Sequence, residues 1–192
     1  MFSILLTVVQ FGQRVSHPPP EGPTLTVVAT QTERRTETRR SIVASAIQLF
    51  DSWAGSLSPA QYQRYVFPHS QKVMDAIADT GVPKIHFGVT TGELLPQIGA
   101  VGADVVGVDW RVPLDAARER VGEGKALQGN LDPTTVFAGA EFACEAAREV
   151  LRLNDGHPGH VFNLGHGVMP AMDPDVLTEI VKVVHEEGTV RS

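Results

Sequence analysis

The chain has 192 residues, 42% hydrophobic and 20% charged, with 18 glycines and 13 prolines. That composition supplies a sizeable core and excludes wholesale disorder. The single cysteine, Cys144, excludes a disulfide framework and a cysteine-based zinc finger, and the net charge of −6 argues against nucleic acid as a partner.

Charge is unevenly spread along the chain. Residues 1–44 carry five arginines against three glutamates, +2, whereas residues 45–192 carry 11 basic and 19 acidic side chains, −8. The first segment holds Pro18-Pro19-Pro20 and the mixed run from Glu33 to Arg40. Met1 to Phe11 is apolar, but no basic residue precedes it and no small-residue cleavage site follows, so it does not read as a secretion signal. No stretch reaches the roughly 20 apolar residues of a membrane span. Residues 1–44 are therefore expected to form a weakly structured leader with one strand at Leu25–Ala29.

From Ser45 onward, short aliphatic runs alternate with helical patterns. Strands are expected at Ala46–Phe50, Lys84–Phe87, Asp104–Val108, Ala126–Gln128 and His160–Asn163, each with the composition of a strand buried on both faces. The first helix opens on Ser58-Pro59-Ala60-Gln61, a capping box with proline at the first helical position, and carries Tyr62, Tyr65, Val66, Val73 and Ile77 on one stripe. Shorter helices are expected at Glu93–Gly99 and Pro113–Val121. Asp132-Pro133 opens another, whose stripe includes Val136, Phe137, Ala140, Ala143, Ala147, Val150 and Leu151. Asp173-Pro174 opens the last, with Val176, Leu177, Ile180, Val181 and Val184 inward and Gly188 as its stop. Cys144 falls on a buried stripe and reads as a small core residue.

Five strands alternating with five helices mean repeated βα units. Neither a dinucleotide-binding glycine motif nor a phosphate-binding loop is present, which removes the main support for a doubly wound nucleotide-binding sheet. The α/β fold expected is a (β/α)₈ barrel of TIM type, incomplete, with about five C-terminal units. In that architecture chemistry gathers after the carboxyl ends of the strands. Those positions are Asp51-Ser52, Gly88, Asp109-Trp110-Arg111, Gly129-Asn130 and Gly165-His166-Gly167. Asp51, Asp109 and Asn130 suit structural roles in loops as well as functional ones. His166, between two glycines at the last strand, has no packing explanation. His157-Pro158-Gly159-His160 lacks an acidic partner at ligand spacing, and no His-Glu-x-x-His or Gly-x-Ser-x-Gly motif occurs, so no metal site and no serine triad are assigned.

Four strand-end blocks together resemble the uroporphyrinogen decarboxylase family: Ala46 to Gly55 followed by Leu57-Ser58-Pro59, Gly107-Val108-Asp109-Trp110, Gln128 to Pro133, and Phe162 to Val168. They occur in the family's order over about residues 45–188. The resemblance implies a cytoplasmic, usually homodimeric barrel without metal or organic cofactor. Its reaction removes CO₂ from the four acetate side chains of uroporphyrinogen III, giving coproporphyrinogen III for haem and chlorophyll synthesis. It also implies substrate-binding roles for Ser52 and His166. The family's catalytic aspartate, its carboxylate-gripping arginines and a substrate-binding tyrosine belong to the first half of its barrel. Residues 1–44 do not resemble that half, so no catalytic residue is assigned. The domain reading is a non-family leader over 1–44 and the C-terminal portion of a barrel over 45–192, as a frameshifted or mis-started reading frame would leave. The alternatives are a barrel methyltransferase relative, for which Ile85-His86-Phe87-Gly88 offers a histidine but no adjacent cysteine, and an inactive fragment that complements another chain.

Overall fold

The computed structural model describes residues 5–9, by their backbone, and 46–188. The expected strand at Leu25–Ala29 lies outside the described residues. Six strands form one sheet in chain order: β1 (Leu5–Val9), β2 (Ala46–Phe50), β3 (Lys84–Phe87), β4 (Val105–Gly107), β5 (Ala126–Gln128) and β6 (His160–Val161). β1 pairs antiparallel with β2, and β2 through β6 are parallel. The helices are α1 (Pro59–Tyr65), α2 (Phe67–Ala76), α3 (Leu95–Ala100), α4 (Leu114–Val121), α5 (Ala140–Asn154) and α6 (Pro174–Glu187).

Strand order separates the two architectures that βα repeats allow. A doubly wound sheet reverses direction and places helices on both faces, whereas a barrel advances one strand at a time with helices on one face only. Here the order never reverses. Val106, Val108 and Leu127 pack against helical side chains such as Leu95, Ile98, Leu114, Ala143 and Ala147. On the opposite face Ala46, Ile85 and Val105 pack with one another and with Ala126, with no helix residue among them. Gln128 of β5 donates from Nε2 to Oε1 of Gln48 on β2 at 3.3 Å, reaching past two intervening strands. Strands that far apart in a flat sheet are separated by about 14 Å. The sheet therefore curls toward this face, as an arc of a TIM-type barrel does.

Local chemistry accounts for the elements. Ser58 Oγ accepts from the Gln61 N–H at 3.3 Å while Gln61 Oε1 accepts from the Ser58 N–H at 2.9 Å, the expected capping box. Asp173 caps α6 by accepting from the Asp175 N–H at 2.9 Å. Three expectations are corrected. The helix expected to run from Ser58 through Ile77 is two helices divided at Val66, because Pro68 has no N–H and its ring crowds the carbonyl four residues back. Tyr65 consequently turns outward, 53% exposed. The segment after Asp132-Pro133 begins as a 3₁₀ helix (Pro133–Ala138), and α5 starts only beyond Gly139, whose φ is +92°. With three residues per turn the stripe shifts, and Phe137 points to solvent, 51% exposed, while Val136 stays buried. Val181 is outward on α6, because only the Val176–Ile180 side of that outer helix faces α5.

Candidate functional site

The carboxyl ends of the parallel strands carry the side chains singled out in the sequence, and the fold gives them different tasks. Asp109, just beyond β4, is buried. Its carboxylate accepts from the Arg111 N–H at 2.9 Å, from Arg111 Nη1 at 3.0 Å and from the Thr90 N–H, tying the β3 loop to the β4 loop. Asn130 is equally buried and donates from Nδ2 to the carbonyls of Asp109 at 3.0 Å and Val112 at 2.6 Å. Both are framework residues: Asp109 accepts from its own loop and from the β3 loop, and Asn130 donates to two carbonyls of the β4 loop.

His166 remains exposed. Its ring stands edge-on to Trp110, with centroids 6.5 Å apart and planes at 88°. The placement depends on Gly165, where a Cβ would lie 2.6 Å from the Trp110 nitrogen and 3.2 Å from the Asp109 carbonyl carbon. Only glycine lets the loop after β6 lie this close to the backbone after β4. Trp110 also carries the Arg111 guanidinium, whose central carbon is 4.0 Å from the ring centroid. One aromatic ring thus organises a histidine and an arginine from two loops.

Ser52 is exposed in the turn after β2 and lines a cavity of about 560 Å³ with Trp53, Tyr65, His69 and Ser70. Behind it, Asp51 Oδ2 is 3.7 Å from Nε2 of His86, a side chain of β3 with no exposed surface. Neither ring nitrogen of His86 has a hydrogen-bond partner among the described residues. Burial pushes the Tyr62 phenol on α1 well above its ordinary pKa, and the Asp51 charge adds to the shift. Leu49 and His86 are register partners on the helix-packed face, so the Asp51–His86 pair sits between the sheet and the helices. No direct contact joins Ser52 to His166 among the described residues.

The opposite face has its own lining near the strand ends. Phe50 and Phe87, register partners, meet edge to face at 5.8 Å, and a Cβ at Gly107 would lie 2.6 Å from the Phe87 ring. Near β5, His160 Nε2 donates to the Gly129 carbonyl at 2.7 Å, and burial lowers its pKa. Among the described residues no three His, Cys, Asp or Glu side chains gather as metal ligands. Sequence reasoning missed the Trp110–Arg111 stack and the Asp51–His86 pair. The second left a signal, a histidine between Ile85 and Phe87 inside a buried strand.

Comparison with known proteins agrees with these blocks. Residues 39–187 match the uroporphyrinogen decarboxylase (URO-D) family. A uroporphyrinogen decarboxylase of Streptomyces coelicolor is 64% identical over 146 residues, covering 76% of this chain and 41% of that protein. One of Streptomyces griseus is 65% identical over 144 residues, covering 75% and 40%. Among solved structures, a methyltransferase from Methanosarcina mazei superposes with a TM-score of 0.65 at 18% identity, over 74% of this chain and 42% of that one, which shows a shared fold. The chain spans about two fifths of the length of the curated relatives it matches.

Proposed function

The chain belongs to the uroporphyrinogen decarboxylase family, and we propose from that premise that it serves the decarboxylation of the four acetate side chains of uroporphyrinogen III to give coproporphyrinogen III. The observation that carries this reading is the exposed His166, presented on Trp110 at the strand ends by the close approach that Gly165 allows. Barrel enzymes bind substrate at that end of the sheet.

The chemistry suits the residues. Protonation of a pyrrole ring carbon makes the ring an electron sink; the bond to the carboxylate carbon then breaks, its electron pair enters the ring, and CO₂ leaves. A second proton takes the vacated position on the methylene carbon, while loss of the ring proton restores the pyrrole. Ser52 donates its hydroxyl to a substrate carboxylate, and His166 donates a ring N–H to another. The apolar pair Phe50 and Phe87 offers a surface for the tetrapyrrole's carbon skeleton. A carboxylate facing the pyrrole N–H groups would stabilise the cationic intermediate, and no side chain of this chain is assigned to it. Residues 45–192 form the barrel unit in this reading and residues 1–44 a leader, from which β1 adds an antiparallel strand beside β2. The assembly is a cytoplasmic homodimer that engages neither nucleic acid nor membrane.

Incubation of the purified chain with uroporphyrinogen III under reducing conditions, with chromatography of the hepta- to tetracarboxylate products, tests the reading. Substrate binding that falls at least tenfold in His166→Asn and Ser52→Ala is expected, as loss of a charge-assisted hydrogen bond costs about 1.5–3 kcal/mol. Absence of both turnover and substrate binding overturns it.

A further inference from the structure

A substrate with eight carboxylates needs cations where it binds, yet the strand ends of this acidic chain offer few. Among the described residues, Arg111 is the only lysine or arginine within four positions of the carboxyl end of a parallel strand. We infer that Arg111 is a carboxylate-binding residue of the strand-end site, its guanidinium stacked on Trp110 and anchored to Asp109 so that the remaining donors meet one carboxylate of a polycarboxylate substrate. The inference rests on the decarboxylase reading and adds to it a contact with the substrate.

Three features carry it. The side chain is 45% exposed although it is held at both ends of its reach, by Nη1 to Asp109 Oδ2 at 3.0 Å and by the Trp110 ring at 4.0 Å. Nη1 makes its one hydrogen bond among the described residues, leaving Nε and Nη2 as a free fork, the geometry that matches a carboxylate. Asp109, 2% exposed, engages only the Nη1 side of the guanidinium, and the rest of its carboxylate is taken up by the N–H groups of Arg111 and Thr90. The Trp110 stack pre-orders the guanidinium, so a ligand meets it with little further loss of side-chain freedom. His166 stands on the same ring, which places a second carboxylate donor beside the first.

The test is equilibrium binding of uroporphyrin III, the stable oxidised octacarboxylate, to the full chain, followed by porphyrin fluorescence anisotropy at low and at molar salt. R111Q is expected to weaken binding about tenfold or more at low salt, with the difference shrinking at high salt. Its melting temperature should stay close to that of the parent chain. Unchanged affinity in R111Q overturns the inference while leaving the decarboxylase reading intact. No binding by the parent chain overturns both. R111K keeps the cation but not the fork and is expected to bind with intermediate affinity. Should R111Q not fold, parent-level affinity in R111K overturns the forked contact.

Discussion

Gly165 and His160 show how single residues set the geometry of the strand ends. At Gly165 the nearest obstacle to a side chain is main chain, the Trp110 nitrogen at 2.6 Å, which cannot rotate away. Gly165→Ala must push the β6 loop off the β4 loop, and overpacking of this kind costs about 1–3 kcal/mol. A urea titration should show that loss, together with weaker His166-dependent binding. Full retention of stability would mean that the two loops are not locked together. His160 makes a pH prediction. Its imidazole pKa lies below the ordinary value, chiefly because burial disfavours the charged ring, with the bond to the Gly129 carbonyl opposing and the Arg118 charge reinforcing the shift. The unfolded chain takes up a proton near pH 6.5, which the folded ring accepts only at lower pH. In that window the unfolded state binds more protons, so stability falls as pH drops below about 6.5. Urea midpoints measured at about pH 7.5 and 5.5 should therefore fall further in the parent chain than in His160→Asn; equal slopes would refute the assignment. The histidine between two glycines stands out in the sequence because packing offers it no role. Asp109 and Asn130 are not separable into function or framework from sequence, because the Thr90 N–H that meets Asp109 and the carbonyls that meet Asn130 come from other βα units.

At the scale of elements, start signals were written locally and boundaries were not. Ser58, Asp132 and Asp173 each accept from a backbone N–H of the first turn they precede, as the Ser/Asp-Pro patterns imply. Ser58→Ala removes the accepting half of a reciprocal box and should cost about 1 kcal/mol, read from the urea midpoint, with α1 fraying faster in amide exchange. A change under a few tenths of that would show that packing of the buried Tyr62 alone holds α1. The ends and breaks escaped the pattern. A stripe at helical spacing runs through Tyr65, Val66 and Val73 whether or not the backbone is continuous, and the division at Val66 follows from the ring of Pro68. α5 and α6 pack against each other and share one core, to which Ala143, Ala147 and Val150 of α5 and Val176 and Ile180 of α6 all contribute. The Arg148–Glu187 pair at 2.9 Å is exposed and adds little to that packing.

For the whole molecule, the decisive feature is a curled sheet of one-way strand order whose parallel part ends on the two-residue β6. Such an edge leaves backbone donors and acceptors without strand partners among the described residues, and unprotected edges promote association. Trp53, 70% exposed, and Tyr65 stand beside the cavity at the end of β2, and Val161 is exposed on β6. The purified chain by itself is expected to self-associate with rising concentration in light scattering and to bind a hydrophobic dye. A dye-silent monomer at every concentration would refute this.

Sequence alone carries the five parallel strands, the capped starts of α1 and α6, the βα repeat and, through four strand-end blocks, the family. These properties are encoded in short stretches, where side-chain period, caps and backbone-permissive glycines act over a few residues. Three-dimensional packing sets which way the sheet curls, makes Asp109 a framework carboxylate, and brings His166 and Arg111 to one tryptophan ring. Those outcomes depend on contacts between loops distant in the chain, such as the approach of Gly165 to Trp110 and the reach of Gln128 to Gln48, and no local pattern records them.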